Sequence, residues 1–117
     1  MEDLKQQLRK FAKDRDWEQF HSPKNLAMAI SVEVSEIVEI FQWMTEEDSR
    51  KLKGKTLQNL EEEIGDVMNY LVALADKYGI DPIEAAKKKL AKNGEKYPAS
   101  LVRGSSKKYN EYSESPG

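Results

Sequence analysis

Apolar residues recur every three or four positions through most of the chain, and this spacing predicts helices separated by short breaks. Leu4, Leu8 and Phe11 mark a first amphipathic helix from Glu2 to about Arg15, after which Trp17 and Phe20 lead into a connector. In His21-Ser22-Pro23 the serine suits an N-cap and the proline the first helical position, so a second helix is expected to about Met44. Thr45-Glu46-Glu47-Asp48 has the form of a capping box with Asp in place of Glu, opening a short helical turn that ends before Gly54. Thr56 can cap a third long helix running to Tyr78 and stopping at Gly79, whose missing Cβ suits a left-handed position. Asp81-Pro82-Ile83-Glu84 restarts the chain as a fourth helix to about Lys92. There is no strand-like alternation, internal repeat or glycine-rich phosphate loop, so the expected fold is all-α.

The 117 residues leave room for one core, because two would each bury too little apolar surface. Residues 1–98 are read as that domain. From 99 to 117 the composition turns to Ser, Lys, Glu and Tyr with Gly and Pro, which predicts a polar tail outside the core or ordered only by a partner.

A helical wheel separates the second helix into stripes. Leu26, Ala27, Ile30, Val34, Ile37, Val38, Phe41 and Met44 form a wide apolar face, with Ser31, Ser35, Glu39 and Gln42 largely opposite. Between them runs a mixed stripe in which Glu33 and Glu36 sit among Ala29, Val32, Ile40 and Trp43. The third helix has Leu57, Leu60, Ile64, Val67, Met68, Leu71 and Leu74 as its expected buried stripe, with Glu63, Asp66 and then Tyr70 along one border. Packing these two helices antiparallel would bring Glu33, Glu36, Glu63 and Asp66 together.

Four such carboxylates repel by roughly 2 kcal/mol per pair at an effective dielectric near 20. Their sum, on the order of ten kcal/mol, rivals the stability of a whole domain, so cations or raised pKa values must intervene. The E-x-x-E and E-x-x-D spacings put neighbouring oxygen ligands on one helix face, a donor set suited to Mg²⁺ or Mn²⁺. A single acidic pair in a chain this rich in Glu is ordinarily a solvated face. Two such pairs on neighbouring long helices, each beside an apolar stripe, favour the metal reading.

The remaining composition removes other chemistries. With no cysteine there is no thiolate site or disulfide, and the single His21 precedes its helix, which disfavours a di-iron bundle built on two E-x-x-H pairs. Nineteen basic residues against 21 acidic ones give a net charge of −2, so nucleic acid and membrane surfaces are not expected partners. The N-terminus lacks the apolar core of a signal peptide, and cytoplasmic residence is expected. The second helix has few clearly solvent-facing positions, which predicts a homo-oligomer, a dimer or a tetramer.

Glu33-Val34-Ser35-Glu36 and Glu62-Glu63-Ile64-Gly65-Asp66-Val67 resemble the paired signatures of the MazG-like all-α nucleoside triphosphate pyrophosphohydrolases. Trp17-Glu18-Gln19-Phe20-His21-Ser22-Pro23-Lys24-Asn25-Leu26, Glu39-Ile40-Phe41-Gln42-Trp43 and Asn93-Gly94-Glu95-Lys96-Tyr97-Pro98 extend the likeness to its dCTP pyrophosphatase branch. The resemblance implies a four-helix MazG-like bundle completed by oligomerisation, and hydrolysis of a nucleoside triphosphate, dCTP or a modified relative, to monophosphate and pyrophosphate. It also implies that Glu33, Glu36, Glu63 and Asp66 hold Mg²⁺, with Glu36 the candidate to orient or deprotonate the attacking water. His21, Trp43 and Tyr70 match nucleoside-pocket positions, Asn93 and Tyr97 polar contacts, and Lys89 and Lys96 basic side chains that meet phosphates. The family often places a second acid directly before the first metal ligand, where this chain has Val32. Without the resemblance, His21 reads as a capping or surface residue, Trp43 and Tyr70 as core, and Lys89 as part of a solvated charge run. The alternative function is a non-catalytic helical interaction module.

Overall fold

A computed structural model describes residues 1–104 of the chain, and these are helical with short connections. The elements are α1 (Glu2–Asp14), a 3₁₀ turn (Glu18–Phe20), α2 (Pro23–Phe41), α3 (Glu46–Ser49), α4 (Gly54–Asp76), α5 (Pro82–Lys96) and α6 (Ala99–Val102). They fall into two compact units, Met1–Pro82 and a second beginning at Ile83.

Local chemistry sets most boundaries in the first unit. Ser22 caps α2 by accepting the Asn25 N–H at 3.1 Å, with Pro23 following it as expected. Thr45 caps α3 by accepting the Asp48 N–H at 3.1 Å. At the end of α4 the Ile80 N–H reaches back to the Ala75 carbonyl (3.0 Å) and the Gly79 N–H to Asp76 (3.3 Å), a Schellman arrangement that requires the φ of 65° at Gly79. α1 ends in the same way, the Trp17 N–H bonding Ala12 (2.9 Å) and the Asp16 N–H bonding Lys13 (3.1 Å). The left-handed residue there is Asp16, at φ 53°, a conformation aspartate enters more readily than most side chains.

Several ends differ from the expected ones. Thr56 is not the cap of α4: the helix already begins at Gly54, behind an N-cap Lys53 that makes no side-chain hydrogen bond. Gly54 itself, at φ 60°, turns the chain directly into the helix, which a glycine-terminated loop did not suggest. α2 and α4 stop two to three residues early, whereas α5 continues past Lys92 to Lys96 and a further helical turn, Ala99–Val102, follows Pro98. The expected tail beyond residue 104 lies outside the described residues.

α4 is the central helix of the first unit: α2 makes the main packing against it and α1 packs on it as well. Leu26 of α2 and Val72 of α4 are the largest fully buried side chains, each worth about 1.5–3 kcal/mol of apolar burial. Ala12 and Ala75 complete the buried apolar set, small residues that let helix backbones approach closely. Arg9 of α1 donates two hydrogen bonds to Asp76 of α4, at 2.6 and 2.7 Å, and fixes α1 along the last turns of α4.

The expected buried stripes are only half realised. Leu26, Ile30, Ile37 and Phe41 of α2 and Leu60, Val67 and Leu74 of α4 are buried or half-buried, but Val34, Val38, Leu57, Ile64, Met68 and Leu71 are exposed. Each helix has an apolar face wider than one neighbouring helix covers. In the second unit, α5 carries an exposed Glu84–Lys87 ion pair and leaves Leu90 72% exposed. No described helix is long and apolar enough to cross a membrane.

Candidate active site

Glu33 and Glu36 stand one helical turn apart on α2, and Glu63 stands on α4. One carboxylate oxygen from each lies within 4.8 Å of the others. All three are half-buried, so the acids lie within the α2–α4 packing and not, as the wheel suggested, beside it. Oε2 of Glu33 and Oε2 of Glu63 are buried with no hydrogen-bond partner. A carboxylate oxygen removed from water without a donor is costly, and two of them face a third acid here.

The electrostatics follow from this crowding. The neighbouring Glu36 carboxyl, then burial, then Glu33, push the Glu63 pKa up to about 7. Glu33 is raised as well, chiefly by burial and further by Glu36 and Asp66, with the neighbouring Glu63 carboxyl acting in the opposite sense. Near neutral pH the cluster therefore holds a proton or a cation. The donor set consists of hard oxygens, two of them unsatisfied, and it fits a small divalent ion.

Asp66 is the outer member of the group. It is exposed, one turn beyond Glu63 on α4, and lines a cleft of about 440 Å³. The cleft is the seam between α1 and α4: Leu8, Phe11 and Ala12 come from one side, Asn69, Tyr70 and Ala73 from the other. Trp17 and His21 close its end. Trp17 sits edge-on to both Phe11 (5.7 Å between ring centroids) and His21 (6.4 Å), forming an aromatic wall. The wall is held from behind: Asn25 Nδ2 donates to the Phe20 carbonyl at 3.0 Å, and Gln19 Nε2 donates to the Asp16 carbonyl at 3.0 Å. A larger groove, about 570 Å³, runs along the other flank of α1 past Lys5, Lys13 and Lys77. It shares Leu8, Ala12, His21 and Ala73 with the cleft but lacks Asp66, and neither cavity is lined by Glu33, Glu36 or Glu63.

Of the residues singled out from sequence, the fold brings together Glu33, Glu36 and Glu63, and sets Asp66, His21 and Tyr70 on the adjoining cleft. Trp43 is 90% exposed just beyond α2 and does not line the cleft of a single chain. Lys89, Asn93 and Lys96 on α5 and the following Tyr97 belong to the second unit, with Asn93 and Tyr97 half-buried. Sequence reasoning missed Trp17, Phe11 and Asn69 as cleft residues. Trp17 was readable as part of the Trp-Glu-Gln-Phe-His motif, but Phe11 carried only the signal of an ordinary core position and Asn69 carried none.

The profile of the MazG-like family matches residues 28–112. The chain is 43% identical over 113 residues to human (Homo sapiens) dCTP pyrophosphatase 1, and 42% identical to the mouse (Mus musculus) protein of that name. Each of these alignments takes in 95% of this chain and 66% of the mammalian protein, so the chain spans just under two thirds of those relatives. A crystal structure of a pyrophosphatase from Archaeoglobus fulgidus superposes with a TM-score of 0.74 at 47% sequence identity, covering 84% of this chain and 92% of that one.

Proposed function

The chain belongs to the MazG-like family, and from that premise we propose that it hydrolyses a nucleoside triphosphate, dCTP or a close relative, to the monophosphate and pyrophosphate. The observation that carries this reading is the cluster of Glu33, Glu36 and Glu63, with Asp66, one turn further along α4, lining a cleft large enough for a nucleoside. The names borne by the human and archaeal relatives support it.

Glu33, Glu36, Glu63 and Asp66 would hold Mg²⁺, with Mn²⁺ as the alternative. An ion bound there would supply the charge neutralisation that a polyanionic phosphate needs beside four acids, and would make a nearby water more acidic. Glu36 orients the attacking water and accepts its proton. The water oxygen forms a bond to the α-phosphorus, the bond from that phosphorus to the α–β bridging oxygen breaks, and pyrophosphate leaves with the bonding pair. The base stacks in the cleft against Trp17, with His21 and Tyr70 at its polar positions. Trp43, Lys89, Asn93, Lys96 and Tyr97 are carried as further substrate contacts on the strength of the resemblance, and alanine at each is expected to raise KM more than it lowers kcat.

We also propose that the enzyme is a homo-oligomer, a dimer or a pair of dimers. The exposed Val34, Val38, Ile64, Met68 and Leu71, on the two helices that carry the acids, support this reading. Cytoplasmic residence is proposed with it.

The test of function is incubation with each dNTP and Mg²⁺ and identification of the products. Monophosphate and pyrophosphate are expected. Diphosphate and orthophosphate would contradict the cleavage position, and absence of turnover would favour the interaction module. Within the mechanism, Glu36→Gln is expected to abolish turnover. Near-normal activity in that variant, with Glu63→Gln and Asp66→Asn inactive, would overturn the role given to Glu36.

A further inference from the structure

We infer that Asn69 is a base-contacting residue of the cleft, pairing its amide with the 4-position edge of a pyrimidine base; this rests on the nucleotide reading above. Two side-chain amides line the cleft, Gln7 and Asn69. Gln7 is engaged, since its Nε2 donates to Asp3 Oδ2 at 2.9 Å. Asn69 has no hydrogen-bond partner among the described residues, so its oxygen and its NH₂ group are both available to a ligand.

Its placement suits a base edge. Asn69 follows Glu63 by six residues on α4, a rise of about 9 Å along the helix axis, and Asp66 lies midway. That separation is comparable to the span of a nucleoside from its base edge to its 5′ oxygen. With phosphates at the acids, a base inserted toward the Trp17–Phe11 wall presents its edge at the level of Asn69. Cytosine offers there an amino donor beside a ring-nitrogen acceptor, and an amide answers both in one plane, as it does on the corresponding edge of adenine. Uracil reverses the pattern, and an amide that can flip accommodates it too. The residue thus binds the paired donor–acceptor edge of either base, and its replacement weakens the hold on both.

This gives one expectation for two substitutions of different chemistry. In Asn69→Asp the side chain only accepts, so on either base it keeps one bond, from the cytosine amino group or the uracil N3–H, and sets an acceptor against cytosine N3 or uracil O4. In Asn69→Leu neither edge is read. Because Asn69 is exposed, neither change is expected to disturb folding, which a thermal melt beside the wild type verifies.

The experiment measures kcat and KM for dCTP and dUTP in the wild type, Asn69→Asp and Asn69→Leu. The expected result is that each variant loses about 10-fold or more in kcat/KM on dCTP and on dUTP, mainly through KM. A KM within about twofold of the wild type in Asn69→Leu, with the wild type active, overturns this assignment and leaves the pyrophosphohydrolase reading intact. A wild-type chain that cleaves neither nucleotide overturns both.

Discussion

Glu63 concentrates the physics of the site in one side chain. Its folded pKa of about 7 stands above the ordinary carboxylate value, so protonation stabilises the metal-free fold. That stability is fully present below about pH 4.5 and is lost as the pH rises through 7. Thermal melts in chelator are expected to show a higher Tm at pH 5.5 than at pH 8, and the difference should shrink in Glu63→Gln. Adding Mg²⁺ at pH 8 should raise the wild-type Tm, because an ion that binds only the folded state shifts the equilibrium toward it. Asp76 titrates in the opposite sense. The guanidinium of Arg9 holds its carboxyl below the usual range, so its stabilising contribution is present at neutral pH and disappears as the pH falls through that lowered value. Asp76→Asn should therefore lower the Tm at pH 7 and leave it nearly unchanged under strong acid. Spacing alone made Glu33, Glu36 and Glu63 legible in the sequence as a set. It could not tell that Asp66 is the exposed member facing the cleft, because that depends on where α1 lies across α4.

Helix ends decide how the cleft is built. Ser22 starts α2 at the point where the chain leaves the Trp17–His21 wall, and Ser22→Ala is expected to cost about 1 kcal/mol in a denaturant melt. A Cβ at Gly79 would meet nothing within 4 Å, so Gly79→Ala tests backbone strain alone, and a loss of roughly 1–2 kcal/mol is expected. Capping signals are legible where a side chain does the capping, at Ser22 and Thr45, and where glycine takes the left-handed position, at Gly79. They are silent where backbone geometry does the work unaided: α4 enters through Gly54 without a side-chain cap in place of the expected Thr56, and α1, whose end at Asp14 lies close to the expected Arg15, is followed by Asp16 in the left-handed position with no glycine to announce it. The turn at Asp16 matters to the site, because the Trp17 that follows it packs edge-on to Phe11.

For the whole molecule, the all-helical architecture followed from periodicity, while the extent of burial did not. Hydrophobic spacing identifies an apolar face but not what covers it, so Val34, Val38, Ile64 and Met68 read as core and are exposed in the single chain. A second copy is the proposed cover. Light scattering of dilute protein should return at least twice the chain mass, and Val38→Glu with Met68→Glu should shift it toward the monomer. In the mechanism we propose, acids packed between two helices gather divalent charge to direct water onto one phosphorus of a triphosphate. Turnover of dCTP with Mg²⁺ in ¹⁸O-labelled water, followed by ³¹P NMR, tests that claim most directly. The label is expected in the monophosphate beside unlabelled pyrophosphate, with the signal absent in Glu63→Gln; label in pyrophosphate, or release of orthophosphate, would contradict it.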